Sequence, residues 1–273
     1  MRWNSEAEQA IKRVPIFVRK MVRRKVEEHA RKMGADDVTI LHVKEAKRRF
    51  LFQMEDEVRG FRVDACFGQT GCPKSVIEES DQVILRIEEI LKKRGLKDFL
   101  RSRVKGPLKF HHEFHVSISC CPNACSKPQI VDFGIIGVSK PVIAEELCTE
   151  CGKCMDICQE DALENKGGMP EIIESRCLMC GECIRQCPEG AIIEIQRGFR
   201  ILLGGKLGRH PRLATQLPAI FNFEQVLIIL EKTLELFQEH CKQGERLGAI
   251  MERVGQDIFL KEVMKSLEFD IGQ

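Results

Sequence analysis

Apolar residues recur at helical spacing from Ser5 to Arg13 and again from Pro15 to Met33, which predicts two amphipathic helices. Pro15 suits a first helical turn and Gly34 a C-terminal stop. A third helix, predicted from about Val43, completes a small helical unit. Phe61-Arg62-Val63 then reads as a strand leading to Cys66, Ser75 to Arg94 as an amphipathic helix ended by Gly95, and His115 to Ser119 as an alternating strand. Further on, Phe199 to Leu203 predicts a strand into Gly204-Gly205, and Phe223 to Phe269 a helical tail broken near Gly244 and Gly255. Between Pro141 and Gln196 this texture gives way to short cysteine-rich turns. They contain an internal repeat, C-T-E-C-G-K-C-M-D-I-C and C-L-M-C-G-E-C-I-R-Q-C, offset by 29 residues. The expected class is α+β, with a small helical domain at 1–52, a mixed module at 58–140 and 197–273, and an inserted module at 141–196.

Composition narrows the chemistry. The 273 residues are 43% hydrophobic, enough for buried cores. The polar opening stretch and the lack of any run of about eighteen apolar residues predict a cytoplasmic protein without signal peptide or membrane span. Fourteen cysteines in a long chain, grouped at ligand spacing, point to metal clusters rather than disulfides. Net charge is +2, yet residues 1–50 hold 14 Lys and Arg against 7 Asp and Glu. This basic arm is either a docking surface or the solvated faces of its helices. Nucleic acid is not an expected partner, because no zinc-finger histidine pairing, RNA-motif aromatics or Arg-rich tail accompanies the charge.

Cys148, Cys151, Cys154 and Cys158 form C-x2-C-x2-C-x3-C, and Cys177, Cys180, Cys183 and Cys187 repeat it, with Pro188 following. In two-cluster ferredoxins the fourth cysteine of each run ligates the other cluster. The spacing therefore predicts one 4Fe–4S cluster on Cys148, Cys151, Cys154 and Cys187, and another on Cys177, Cys180, Cys183 and Cys158. Gly152 and Gly181 ease the tight turns around such clusters. Zinc would more commonly use paired C-x2-C knuckles.

Outside the insert, Cys66 and Cys72 give C-x5-C, and Cys121 and Cys125 give C-x3-C within S-C-C-P-N-A-C. Four thiolates from two loops suffice for a third cubane, although Cys66 and Cys72 also read as small packing residues. With K-P-Q-I-V-D-F-G-I-I-G and F-R-I-L-L-G-G-K-L-G-R-H-P-R, this arrangement resembles the sirohaem-dependent sulfite and nitrite reductases. More narrowly it resembles the dissimilatory and anaerobic sulfite reductases, in which a two-cluster ferredoxin interrupts the module at this point. The resemblance covers about residues 61–255. It implies that Cys66, Cys72, Cys121 and Cys125 bind a 4Fe–4S cluster, that Cys125 bridges it to sirohaem iron near Asn123, and that Lys206, Arg209 and Arg212 meet the tetrapyrrole's carboxylates. The implied chemistry is six-electron reduction of sulfite or nitrite, fed by a redox protein through the ferredoxin clusters.

Two features depart from that family. Relatives carry paired lysines in the strand entering C-P-N, where this chain has Glu113 and His115. His115 is the expected proton donor, and Lys109 the expected substitute for a missing lysine. The stretch before Cys66 is also too short for the ferredoxin-like half that lines the cavity in relatives, which leaves a homo-oligomer as one way to complete it. In its place, W-N-S-E-A-E-Q-A through R-V-P-I-F-V-R-K-M-V-R-R-K-V-E-E-H-A-R-K-M-G resembles the C-terminal domain of the light-independent protochlorophyllide reductase catalytic subunit, which implies a tetrapyrrole cap or a docking surface. These departures keep a second expectation open: an electron-transfer or accessory iron–sulfur subunit without a substrate site of its own.

Overall fold

The computed structural model describes residues 1–77 and 80–267. Positions 78–79 of the predicted 75–94 helix and the end of the predicted tail at Phe269 lie outside the described residues. The chain forms two compact units, Met1–Arg59 with Val104–His111, and Gly60–Arg103 with His112–Gln273.

The first unit pairs strands β1 (Arg2–Trp3) and β2 (Asp37–Val38) in parallel beside helices α1 (Ser5–Lys12), α2 (Ile16–Lys32) and α3 (Ile40–Glu57). Asn4 caps α1 by accepting the Ala7 N–H at 2.8 Å, as a short polar side chain before a helix does. Pro15 stands one residue before α2 rather than within it, and Gly34 beyond its end takes φ of 71°. Ala7, Val26, Ala30 and Val38 form the core, with Trp3 packed against it.

The second unit is built on a five-stranded sheet ordered β3 (Phe61–Ala65), β4 (Phe114–Ser119), β5 (Phe133–Ile143), β8 (Ile192–Leu203), β9 (Thr215–Gln216). The first three run parallel; β8 and β9 are antiparallel to their neighbours. Helices α4 (Ser80–Lys93) and α5 (Leu96–Arg103) connect β3 towards β4. Helices α8 (Phe223–His240), α9 (Leu247–Val254) and α10 (Gln256–Lys265) follow β9. Ser75–Ile77 are not helical, so the predicted helix begins late, and α5 was hidden behind Gly95.

The sheet has two unlike faces. Phe114, Val116 and Ile118 stand in register with Phe133 and Ile135, and these with Leu203 and Ile201, all essentially buried. Phe114 meets Phe237 of α8 edge-on at 5.2 Å. The alternate positions place Arg62, Asp64, His115, Ser117, Ser119, Ile136 and Arg200 on the opposite face. Gly137 is required by close approach: a Cβ there would come within 2.5 Å of Ile77 and 2.8 Å of the Cys120 carbonyl.

β5 and β8 extend together as a long ribbon, and residues 144–191 grow from its far end. This segment holds helices α6 (Lys153–Ile157) and α7 (Glu182–Gln186) and the hairpin β6 (Leu163–Lys166) and β7 (Met169–Ile172). No helix among the described residues is long and apolar enough to cross a membrane.

Candidate iron–sulfur centres

In the ribbon's extension each cysteine run turns through a left-handed glycine, Gly152 at φ 76° or Gly181 at φ 69°, into a five-residue helix. The turns wrap the thiols around two spaces. One is lined by Cys148, Cys151, Cys154 and Cys187. The other is lined by Cys158, Cys177, Cys180 and Cys183. Each space thus takes three cysteines from one run and the last cysteine of the other. Backbone amides also point at sulfur: Ala162 N–H donates to Cys158 Sγ at 3.3 Å and Ala191 N–H to Cys187 Sγ at 3.2 Å.

Burial pushes the Cys183 thiol up to about 12, and the neighbouring Cys180, Cys177 and Cys158 add to the rise. Burial likewise raises Cys154, with Cys148 and Cys151 contributing. Thiolates facing one another are disfavoured until cations are placed among them, so the donor set fits an iron-rich occupant. Among the described residues no three His, Cys, Asp or Glu side chains are gathered for a single metal ion. Zinc bonds of 2.3 Å would hold thiolates only about 3.8 Å apart. The thiols of these runs are not so gathered, which matches a cubane better.

The remaining predicted ligands sit at the ends of β3 and β4. Cys66 follows β3 and accepts N–H groups from Gly68 at 3.4 Å and Cys120 at 3.2 Å. Cys121 follows β4 and is buried; burial raises its thiol pKa, and the charges of Cys66, Cys125 and Cys72 raise it further. The four residues are therefore electrostatic neighbours although two loops supply them. Cys125 is exposed and its sulfur accepts Asn123 Nδ2–H at 2.9 Å. This set also fits a cluster, with Cys125 on its outer side. Cys120 is buried and packs on Gly68, while Cys241 is buried and donates to the Glu245 carbonyl at 3.6 Å.

The other predicted residues are more dispersed. His115 Nε2 pairs with Asp64 Oδ2 at 2.8 Å across β3 and β4. Asp64 is pushed up by its burial, but hydrogen bonds from Arg62 and His115 outweigh this and hold it below the usual carboxylate range. Lys109 falls in the segment belonging to the first unit, and His115 in the second. Lys206 and Arg212 face each other across a tight hairpin with reciprocal backbone bonds of 2.9 Å, and exposed Arg209 lies in its loop. Lys206 pairs with Glu252 at 3.3 Å and Arg212 with the same carboxylate at 3.7 Å. Arg212 also donates to the Gly204 carbonyl at 2.8 Å and to Thr215 Oγ1 at 3.0 Å. These two cations are already engaged by the chain itself, so they fit a carboxylate-rich tetrapyrrole only if Glu252 yields.

Several residues that shape these sites carry no motif. Asp132, 1% exposed, accepts from the His115 and Leu247 amides and pairs with Arg246 at 2.7 Å, tying β4 and α9 to the start of β5. Lys74, two positions beyond Cys72, pairs with Glu182 of α7 at 2.6 Å. Arg200 stands on the same sheet face as His115 and acts electrostatically on Cys177. The sequence hint to it was alternation, which sets Arg200 opposite buried Phe199 and Ile201.

Compared with known proteins, residues 62–271 match the family described as nitrite and sulphite reductase 4Fe-4S domain, and residues 3–47 match that of the proto-chlorophyllide reductase 57 kD subunit. Over 209 residues the chain is 32% identical to the coenzyme F420-dependent sulfite reductase of Methanocaldococcus jannaschii, covering 76% of this chain and 31% of that protein. A stretch of 43 residues is 42% identical to one subunit of the anaerobic sulfite reductase of Salmonella typhimurium, covering 16% of this chain and 13% of the relative. Among solved structures, dissimilatory sulfite reductase I superposes with a TM-score of 0.52 at 19% identity, over 83% of this chain and 58% of that one, a likeness of fold. The chain spans less than a third of the F420-dependent relative.

Proposed function

The chain belongs to the nitrite and sulphite reductase 4Fe-4S domain family, and from that premise we propose that it passes electrons through two ferredoxin clusters to a third cluster on Cys66, Cys72, Cys121 and Cys125, beside which sirohaem binds. The observation that carries this reading is the exchange of Cys158 and Cys187 between the two thiol-lined spaces. Such crossing is the ligand pattern of two-cluster ferredoxins, and it supports the reading.

Bound against Cys125, sirohaem would supply the site where sulfite or nitrite is held and reduced. The chain's own residues have separable tasks. Asn123 orients the Cys125 sulfur, the Cys66 amide donors stabilise a thiolate, and Lys206, Arg209 and Arg212 supply cations for carboxylates. His115 holds a proton on the open sheet face, kept in place by Asp64. Redox partners are a donor protein and a small oxyanion.

A second reading, an electron-transfer or accessory subunit that passes electrons on without a substrate site, is favoured by two observations. Glu252 occupies Lys206 and Arg212, and buried Glu113 stands where relatives carry a substrate-binding lysine. Anaerobic purification from cells making sirohaem, with iron and sulfide quantitation and tetrapyrrole extraction, separates the two. About twelve cubane irons with extractable tetrapyrrole are expected for the reductase. About eight or twelve irons without tetrapyrrole, when a control reductase loads, would leave the electron-transfer protein.

A further inference from the structure

The two ferredoxin sites have different surroundings. Beyond its thiols, the space of Cys148, Cys151, Cys154 and Cys187 is walled by residues of the insert and its ribbon, among them Lys153, Gly168 and Glu189. The other site leans on the sheet. Ser139 N–H donates to the Met179 carbonyl at 2.8 Å, bridging β5 to the loop between Cys177 and Gly181. The Met179 side chain packs on Ile136, Val138 and Leu202 together with Ala124, from the loop between Cys121 and Cys125. Cys158 and Cys180 also line an open cleft together with Cys121, Pro122 and Asn123. The pair of Lys74 with Glu182, next to Cys183, closes the same neighbourhood. The Cys158/Cys177/Cys180/Cys183 site is therefore the inner one, adjoining the third thiol set.

Arg200 stands in this neighbourhood, in register with Ile136 across β5 and β8. Its Nε is buried without a hydrogen-bond partner, and among the described residues no carboxylate pairs with it. Burying even part of a guanidinium without a counter-charge is costly. Its field falls on Cys177, where it opposes the effect of burial. A thiolate-ligated cubane gathers net negative charge that grows on reduction, and a nearby cation favours the reduced form. A part-buried position makes that attraction stronger than it would be in water.

We propose that Arg200 is the counter-ion of the inner ferredoxin cluster and sets its reduction potential above that of the outer cluster, so that electrons collect beside the third thiol set. This rests on the reading that the three thiol sets hold clusters. The step is a one-electron exchange in which the outer cluster is oxidised and the inner one reduced. No bond or proton moves, and the external donor protein restores the outer electron.

The test is a redox titration followed by electron paramagnetic resonance on the full chain with its clusters in place, for the native protein, Arg200→Met, Arg200→Gln and Arg200→Lys. The inner signal is identified by its magnetic interaction with the third cluster. In the native protein it should be reduced at the higher potential. In Arg200→Met the ratio of reduced to oxidised inner cluster at fixed potential should fall at least tenfold, with the outer signal unmoved, and Arg200→Lys should recover most of the loss. Arg200→Gln makes the same measurement if the Met variant does not fold. A native order with the outer cluster higher, unmoved potentials, or a shift confined to the outer cluster would overturn the proposal while leaving the cluster reading intact. A native chain without cubane iron would overturn both.

Discussion

At the scale of single residues, the buried carboxylate of Asp132 is held by several donors. It accepts from the His115 amide of β4 and from adjacent Arg246 and Leu247, and truncating it leaves part-buried Arg246 without its carboxylate. Asp132→Ala is expected to cost about 3–5 kcal/mol, the range for breaking a buried pair, and chemical denaturation of native and variant chains checks it. Asp64 gives a pH dependence. Its folded pKa lies below its unfolded value of about 3.9. Its contribution to stability is thus fully present above the unfolded value and is lost as pH falls through the folded one. Asp64→Asn should flatten the acid side of the stability profile without changing it near neutrality; an unchanged acid limb would show that the pair with His115 contributes nothing. Glu252→Gln should release Lys206 and Arg212 and strengthen tetrapyrrole binding. Because Glu252 is more than half exposed, the gain should stay below about fivefold, measured by equilibrium loading of sirohaem. Weaker loading would mean that Glu252 positions those cations rather than competing for them.

At the scale of elements, the cysteine runs show how far local spacing reaches. Spacing announces loops that wrap a cluster, and the glycine turns before α6 and α7 follow from the same few residues. The α1, α2 and tail helices were legible for a similar reason: apolar period, caps and stops are all local. Left-handed Gly244 and Gly255 do separate the tail helices. What stayed hidden depends on partners far along the chain. The part of β8 before Phe199 is held by its ribbon with β5 rather than by a buried face, since Ile193 and Ile195, which alternate with Glu194 and Gln196, are exposed. Glu252 near Lys206 leaves no local pattern, and alternation sets the face of Arg200 but not its nearness to Cys177. The exchange of fourth ligands between the runs is open to a direct check. Cys187→Ser and Cys154→Ser should damage the same cluster, and Cys158→Ser the other, as read from the signals surviving in each variant. If Cys158→Ser and Cys154→Ser damaged one common cluster, each run would be closed on itself.

At the scale of the whole molecule, the two regions of the second unit are held together by different physics. The sheet and its helices bury a continuous apolar layer, from Phe114 and Ile135 to Phe237 and Leu234. In the insert, the buried cluster is Cys154, Leu163 and Ile192, and its partly buried neighbours include Cys158, Cys183 and Cys187. Cysteines are thus four of the ten residues in this small cluster, and on the proposed reading bound metal supplies part of the insert's folding energy. Removing iron anaerobically with a chelator should unfold 144–191 while leaving the sheet intact. Limited proteolysis should then cut within the insert, yet the two fragments should remain associated, because β5 and β8 stay paired along the ribbon and on into the sheet. Gel filtration of the nicked chain before and after denaturation tests this. Fragments that separate without denaturant would mean that the clusters, rather than the ribbon, hold the two halves of the module together.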